Sequence, residues 1–447
     1  MTLVDLVGLI PSFGNLLFTI GAFVVALLII VAIHEFGHYI VGRWTGIYAE
    51  VFSLGMGPVL WSRVDKRGTV WQIAALPIGG YVRFKGDSSA ASGKDVEAFE
   101  TMAEEDMRHT MHGAPLWARA ATVAAGPIFN FMLSILVFAA IIGWKGVPSE
   151  PLTIAELRAV PYEQTLQVGD EILAIEGRRT PKLEDFSGFV ELLPPRNDLD
   201  YLVRRNAEEE HALGAHPYPP LVLGLTPGSA AMEAGFEVGD VILSANGQEV
   251  ATFAQLREIV GNSGGKPLTM DVWRKGENLT ITLTPQRRDL PLPDGGFETR
   301  WLIGITGGML FEPKTESPGL GRAISYGADQ TWYIIKASVS GLYHVVAGKI
   351  SSCNLRGPVG IAQTSGQAAS QGLVSFIWFI AVLSTAVGFL NLFPIPILDG
   401  GHLMFHAYEA IRGRPPSDGA LRLMMAIGLA LIGTLMIFAL SNDFMCP

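Results

Sequence analysis

The sequence predicts an α-helical polytopic membrane protein: four transmembrane helices, a membrane-associated β-hairpin, and a tandem of small α+β domains inserted between the spans. Three observations predict it. Of 447 residues, 49% are hydrophobic and only 17% charged, with a mean hydropathy of +0.34, too apolar for an ordinary soluble chain. Segments 16–40, 117–144, 376–392 with a broken continuation, and 423–440 are long and apolar enough to cross a hydrocarbon layer of about 30 Å. The long polar insert between the second and third of these repeats itself, as shown below. The net charge of -10 argues against a nucleic-acid partner, and no basic cluster offsets it. Two cysteines, Cys353 and Cys446, exclude a disulfide scaffold or a four-cysteine metal site and leave one bridge conceivable.

The first span ends in His34-Glu35-Phe36-Gly37-His38. On a helix the two histidines lie one turn apart on one face, so both imidazoles converge on a single metal ion with Glu35 beside them as general base. A chance motif is the bland alternative. It is disfavoured because ionisable groups within a span cost about 2.5–3.5 kcal/mol each, and residues kept at that cost are usually functional. The run has no basic stretch ahead of it and contains the motif, so it reads as a retained span rather than a signal peptide. Residues 1–15 carry no lysine or arginine, whereas the connection after the first span carries Arg43, Arg63, Lys66, Arg67, Arg83 and Lys85. Arg412 and Arg414 precede the fourth span. By the positive-inside rule both termini and the large insert face outward and the first connection faces the cytoplasm.

Within that connection, 51–63 and 69–84 read as extended segments around Asp65-Lys66-Arg67-Gly68, unusually apolar and rich in glycine. Non-helical backbone at membrane depth is tolerated where it is buried in protein or lines a cavity, which predicts a hairpin dipping toward the metal. Its edge near Gly79, Gly80 and Tyr81 is the candidate for pairing with an unwound substrate segment. The polar stretch 88–112 reads as a flexible connection with a short helix.

In the insert, Leu166-Gln167-Val168-Gly169-Asp170-Glu171-Ile172-Leu173 aligns without a gap with Phe236-Glu237-Val238-Gly239-Asp240-Val241-Ile242-Leu243, and Arg204-Arg205 with Arg274-Lys275. Each copy reads as strand, turn, strand, short helix, then hairpin strands. The Gly-Asp-x-Ile-Leu turn and Pro227-Gly228-Ser229-Ala230-Ala231 resemble PDZ domains of the bacterial protease type. The first copy departs from that pattern with Arg158-Ala159-Val160-Pro161, and is read as degenerate. Leu302, Ile303, Gly304 and Ile305 look like the PDZ strand that receives a peptide carboxylate, displaced to the end of the domain. The predicted domains are 1–150, 151–220 (first PDZ-like copy), 221–310 (second), 311–370 (an amphipathic membrane-surface helix and linker) and 371–447.

Two prolines, Pro394 and Pro396, stand two residues apart and cannot sit in a regular helix, so the third span unwinds there. Asp399 follows the break and is the preferred third ligand, against His402 and His406 one turn apart. At about 1.5 Å per residue, His34 and Leu392 both lie roughly 24 Å along their spans, near the cytoplasmic side. Asn391 carries both donor and acceptor atoms and is read either as a hold on substrate backbone or as a helix cap. His109, His112, His211, His216 and His344 are read as surface residues.

The HExxH, the Gly-x-Gly and Pro77-Ile78-Gly79-Gly80-Tyr81 hairpin, Ala125-Gly126-Pro127-Ile128-Phe129-Asn130, the PDZ tandem and Asn391-Leu392-Phe393-Pro394-Ile395-Pro396-Ile397-Leu398-Asp399-Gly400-Gly401-His402 together resemble the site-2 protease family over nearly the whole chain. The resemblance implies an intramembrane protease of the bacterial inner membrane with one Zn2+ per chain. It would cut single-span membrane proteins, including anti-sigma factors already shortened by another protease and remnant signal peptides. It transfers metal binding to His34, His38 and Asp399, base duty to Glu35 and substrate contact to Asn391. A membrane metal transporter and a PDZ membrane scaffold are the rival readings, and neither requires Glu35 beside His34.

Overall fold

The computed structural model describes residues 13–87, 102–226, 228–292 and 296–445. It divides into two compact units, Met1–Ile141 with Leu320–Pro447, and Ile142–Gly319.

Among the described residues the first unit is built on seven helices of more than three turns, besides the short helix Glu104–Met107: α1 (Phe13–Trp44), α2 (Leu116–Lys145), α3 (Gly319–Val346), α4 (Pro358–Ser370), α5 (Leu373–Asn391), α6 (Asp399–Arg412) and α7 (Asp418–Met445). Among the described residues, α1, α2, α5 and α7 are long and apolar enough to cross a membrane. Serine hydroxyls tie α2 and α5 together. Ser134 Oγ on α2 donates to the Ala381 carbonyl at 2.8 Å, and Ser384 Oγ on α5 donates to the Asn130 carbonyl at 3.0 Å.

Strands β1 (Ala49–Val64) and β2 (Val70–Phe84) are the expected hairpin, folded further than its sequence suggests. Each strand bends, so four segments pair in the order 80–84, 49–54, 70–74, 59–64. Gly55, with φ of 85°, stands at the bend of β1, where a Cβ would meet the Ala74 and Leu76 carbonyl oxygens at 2.8 Å. Segment 80–84 is one edge of this sheet and lies against α1. A Cβ on Gly80 would meet Val31 Cγ1 at 2.8 Å and Glu35 Cγ at 3.1 Å.

Along α3 the expected apolar stripe is left largely uncovered: Ile324, Trp332, Val339, Tyr343 and Val346 are exposed. Its other face carries Ala323, Gly327 and Thr331 one turn apart, all buried. A Cβ on Gly327 would lie 2.3 Å from the Ile135 carbonyl, so small residues let α3 seat on the body of α2. At the far end of α7, Asp443 accepts from the Gly357 and Val359 amides at 2.7 and 3.0 Å, capping the start of α4. Asn442 donates to the Ser352 carbonyl at 2.8 Å, and Cys353 beside it is in a disulfide. Cys446, the chain's other cysteine, lies outside the described residues, as do the first twelve residues and 88–101.

The second unit contains two four-stranded antiparallel sheets of the same order. The first runs Arg178–Arg179, Glu171–Ile175, Leu199–Arg205, Glu208–Gly214, and the second Gln248–Glu249, Val241–Ala245, Leu268–Arg274, Glu277–Leu283. Helices Phe186–Val190 and Phe253–Gly261 occupy corresponding places. The repeated Gly-Asp turn has a structural cause. Asp170 accepts from the Gln167 amide at 2.8 Å and from two nitrogens of Arg205, and Asp240 does the same with Glu237 and Arg274, so Arg205 and not Arg204 is the counterpart of Arg274 and the gapless register slips by one residue before these strands.

Two expectations shift here. Leu310 and Phe311 complete the core of the first copy, where Phe311–Pro313 pairs with Ile154–Leu157, and Thr315–Glu316 pairs with Val147–Pro148. Residues 309–310, assigned to the second copy, and 311–316, read as linker, therefore return to the first copy after the second is complete. The stretch Trp301 to Ile305 is not one strand. Phe297–Leu302 pairs with Gln286–Pro291, the chain turns at Gly304 with φ of 79°, and Ile305–Thr306 pairs with Gly224–Leu225.

Candidate metal centre

Helix α1 carries His34 and His38 one turn apart, and α6 brings Asp399 to them from the far end of the chain. The break between α5 and α6 makes this possible: Asn391 ends one helix, the two prolines forbid its continuation, and Asp399 begins the next. The donor atoms of the three residues lie within 4.8 Å of one another. His34 Nε2 is 3.2 Å from His38 Nε2 and 3.2 Å from Asp399 Oδ2, and His38 Nε2 is 3.5 Å from Asp399 Oδ1. A tetrahedral ion with bonds of about 2.0–2.1 Å separates its ligand atoms by about 3.3 Å; the two imidazole nitrogens stand close to that spacing, and each faces a different oxygen of Asp399 at a similar distance.

The wall behind the triad is α2. A Cβ on Gly126 would fall 2.4 Å from His38 Nε2 and 2.8 Å from His34 Cε1, so only glycine leaves room for both imidazoles. His38 Nδ1 donates to the Thr122 carbonyl at 2.8 Å, which leaves Nε2 with a free lone pair. Asp399 Oδ2 is buried without a hydrogen-bond partner among the described residues, a costly condition that a cation would relieve.

A cavity of about 310 Å³ joins these groups to the sheet edge and the mouth of the site. His34, Glu35, His38, Asp399 and Asn391 all line it, with Gly80, Tyr81 and Val82 along one side. Gly79 is not among the lining residues, and Leu302, Ile303, Gly304 and Ile305 belong to the other unit. Segment 80–84 pairs with 49–54 on one side and with no strand among the described residues on the other. In the second unit, Ile303 is buried, and its carbonyl accepts from the Ala231 amide at 2.9 Å. A groove there runs between Phe253–Gly261 and Phe297–Leu302.

His112, read as a surface residue, lines the cavity instead and stands 3.4 Å from Asp87, while His216 is buried in the second unit. His402 and His406 line the cavity without joining the triad. Burial pushes both imidazoles down, His406 to about 4 with Arg119 alongside, so both are neutral at pH 7. Arg119 makes a two-armed bond to Glu409 at 2.6 and 3.0 Å beside them. Its signal in the sequence was an arginine in the first turn of an apolar span.

Comparison with known proteins adds an independent line. The family model described as Peptidase family M50 matches residues 22–435. A protein of Rhizobium meliloti (strain 1021) named "Putative zinc metalloprotease" is 37% identical over 430 residues, 96% of this chain and 97% of its own length. The Regulator of sigma-E protease RseP of Escherichia coli (strain K12) is 32% identical over 465 residues, 96% of this chain and 99% of its own. The Regulator of sigma E protease of Salmonella typhimurium (strain LT2) is similar to the same degree, 32% over 465 residues and the same shares.

Proposed function

The chain belongs to peptidase family M50 and is a zinc metalloprotease, and from that premise we propose that it performs site-2 cleavage of single-span membrane proteins within the bilayer. His34, His38 and Asp399 hold one Zn2+, and Glu35 is the general base. The observation that carries this reading is the triad itself: two histidines on a helix apolar enough to span a membrane, Asp399 brought within 3.2–3.5 Å of both from the start of another helix, and Glu35 in the same cavity.

Zinc, when bound, lowers the pKa of a water molecule from about 15.7 toward 7 and polarises a carbonyl. Glu35 takes a proton from the attacking water and returns it to the leaving amine. A transmembrane helix keeps its peptide bonds inside its own hydrogen-bond ladder, so a substrate must unwind first. The open edge at Gly80 and Tyr81, continued toward Gly79, receives the unwound segment as an added strand, and Asn391 holds it from the opposite wall. An anti-sigma factor shortened by a first protease fits this substrate class, as do remnant signal peptides. In this reading the protein sits in the bacterial inner membrane, with termini and PDZ domains periplasmic and the metal near the cytoplasmic side. The two repeats are the PDZ tandem, and Leu302, Ile303, Gly304 and Ile305 capture a peptide carboxylate in the second.

Glu35→Gln tests the proposal. Membranes carrying this variant should accumulate uncut single-span stumps by mass spectrometry, while the purified variant retains zinc at wild-type occupancy. Loss of zinc with unchanged cleavage products would reject the role of Glu35, and a transporter or scaffold would show no difference in stumps.

A further inference from the structure

The two histidines of the triad are not equally supported. His38 has a settled arrangement, because the Thr122 carbonyl can only accept, so Nδ1 keeps its proton and Nε2 faces the metal position. His34 needs the same arrangement to act through Nε2, and what faces its Nδ1 is the side-chain amide of Asn130 at 3.2 Å.

Asn130 is fully buried, at 0% exposure, one helical turn beyond Gly126 on α2. Its backbone carbonyl accepts from Ser384 Oγ at 3.0 Å, Ser134 Oγ, which shares its one proton with the Ala381 carbonyl, stands 3.0 Å from the same oxygen, and Gly388 of α5 closes over its Cβ. The side chain is therefore pinned at its base, with rotation of the amide as its remaining freedom. In the orientation drawn, the NH2 group points at His34 Nδ1, and the amide oxygen Oδ1 is buried without a hydrogen-bond partner among the described residues. That orientation makes Nδ1 an acceptor and places the ring proton on Nε2, which faces Asp399 Oδ2 3.2 Å away without closing a hydrogen bond to it. It suits a histidine–carboxylate pair and not a metal ligand. The oxygen and nitrogen of an amide exchange by a half-turn, and hydrogen-bond logic decides between them. The turned amide sets Oδ1 against Nδ1–H and makes as many hydrogen bonds as before.

We propose that Asn130 is the positioning residue of His34: in the zinc-loaded protein its amide oxygen accepts the proton on His34 Nδ1 and so commits Nε2 to the metal. This rests on the metalloprotease reading and goes beyond it. It also gives the Gly126-to-Asn130 stretch a chemical role, Gly126 admitting the two rings and Asn130 orienting one of them. Outer partners of this kind are typically worth about 10–100-fold in metal affinity.

The test compares Asn130→Asp, which keeps an acceptor in the same shape, with Asn130→Leu, which has neither acceptor nor donor. Zinc affinity of the full purified chain is measured by competition with a chromophoric chelator, independently of cleavage. The expected result is a loss of about 10–100-fold for Asn130→Leu and wild-type or tighter binding for Asn130→Asp. At saturating zinc, Asn130→Leu should recover much of its activity, as expected of a residue that acts through another. If either variant does not fold, Asn130→Thr against Asn130→Val repeats the comparison of an acceptor with its apolar isostere. Wild-type affinity in Asn130→Leu would reduce Asn130 to packing and overturn the proposal, as would weaker binding in Asn130→Asp than in Asn130→Leu. A His34→Ala control separates the two levels: if it too keeps zinc, the metal centre itself is misassigned.

Discussion

At the scale of single residues the site is a set of donors with few alternatives. Each of His34, His38 and Asp399 contributes one of three facing atoms, so His34→Ala, His38→Ala and Asp399→Ala should each lose zinc by more than the roughly 100-fold typical of an outer partner. His402→Ala should keep it, because His402 lines the cavity without joining the triad. Metal analysis of the four purified variants checks this, and zinc loss in His402→Ala with retention in Asp399→Ala would reverse the ligand assignment. The ligand candidates were legible in the sequence because charge and imidazole inside an apolar run are expensive. Asn130 stood in one of the motifs behind the resemblance, but its role was not legible, since that lies in the imidazole that stands opposite it.

The elements show how far pattern carries. In the second unit the Gly-Asp turn could be read as a repeat signature, but its physical role emerges only when Arg205, 35 residues away, folds back onto Asp170. Asp170 is 1% exposed, and burial works to raise its carboxyl, but hydrogen bonds from Arg205 and the Gln167 amide outweigh burial and hold it below the usual carboxylate range. A carboxyl depressed on folding adds stability above its unfolded value of about 3.9, and that stability is lost as pH falls through the folded value. Removing the partner of a buried charge costs about 3–5 kcal/mol. Arg205→Leu should therefore destabilise the first copy by about that much at pH 7, read as a lowered urea midpoint by limited proteolysis. An unchanged midpoint would relegate the pair to the surface. The hairpin shows the opposite limit. Its turn at Asp65 to Gly68 was readable from composition, whereas the order of its four segments depends on bends at the glycines and on a seat against α1 that no local pattern encodes.

For the whole molecule, the proposed role of the insert is to restrict access without taking part in the chemistry, and excision tests it. If the repeats obstruct substrates with bulky external domains, removing them should admit a long-tailed substrate that the intact chain rejects, while cleavage of a short-tailed one is unchanged. The strand pairing dictates how to cut. A deletion ending near Arg288 would strand Leu310 and Phe311 without their core, whereas excision of 147–316 removes Val147–Pro148 and Thr315–Glu316 together, where they are already paired. Cleavage assays on the zinc-loaded excised protein decide it, and continued rejection of the long-tailed substrate would end the filter idea. The distribution of the ligands along the chain has its own consequence for biosynthesis. His38 leaves the ribosome roughly 360 residues before Asp399, an interval of roughly 18–72 s at about 5–20 residues per second. On the proposed ligand set, the first span spends that time in the membrane among other single spans without its third ligand. A nascent protease made in this order stays harmless to its neighbours until nine-tenths of it has been translated.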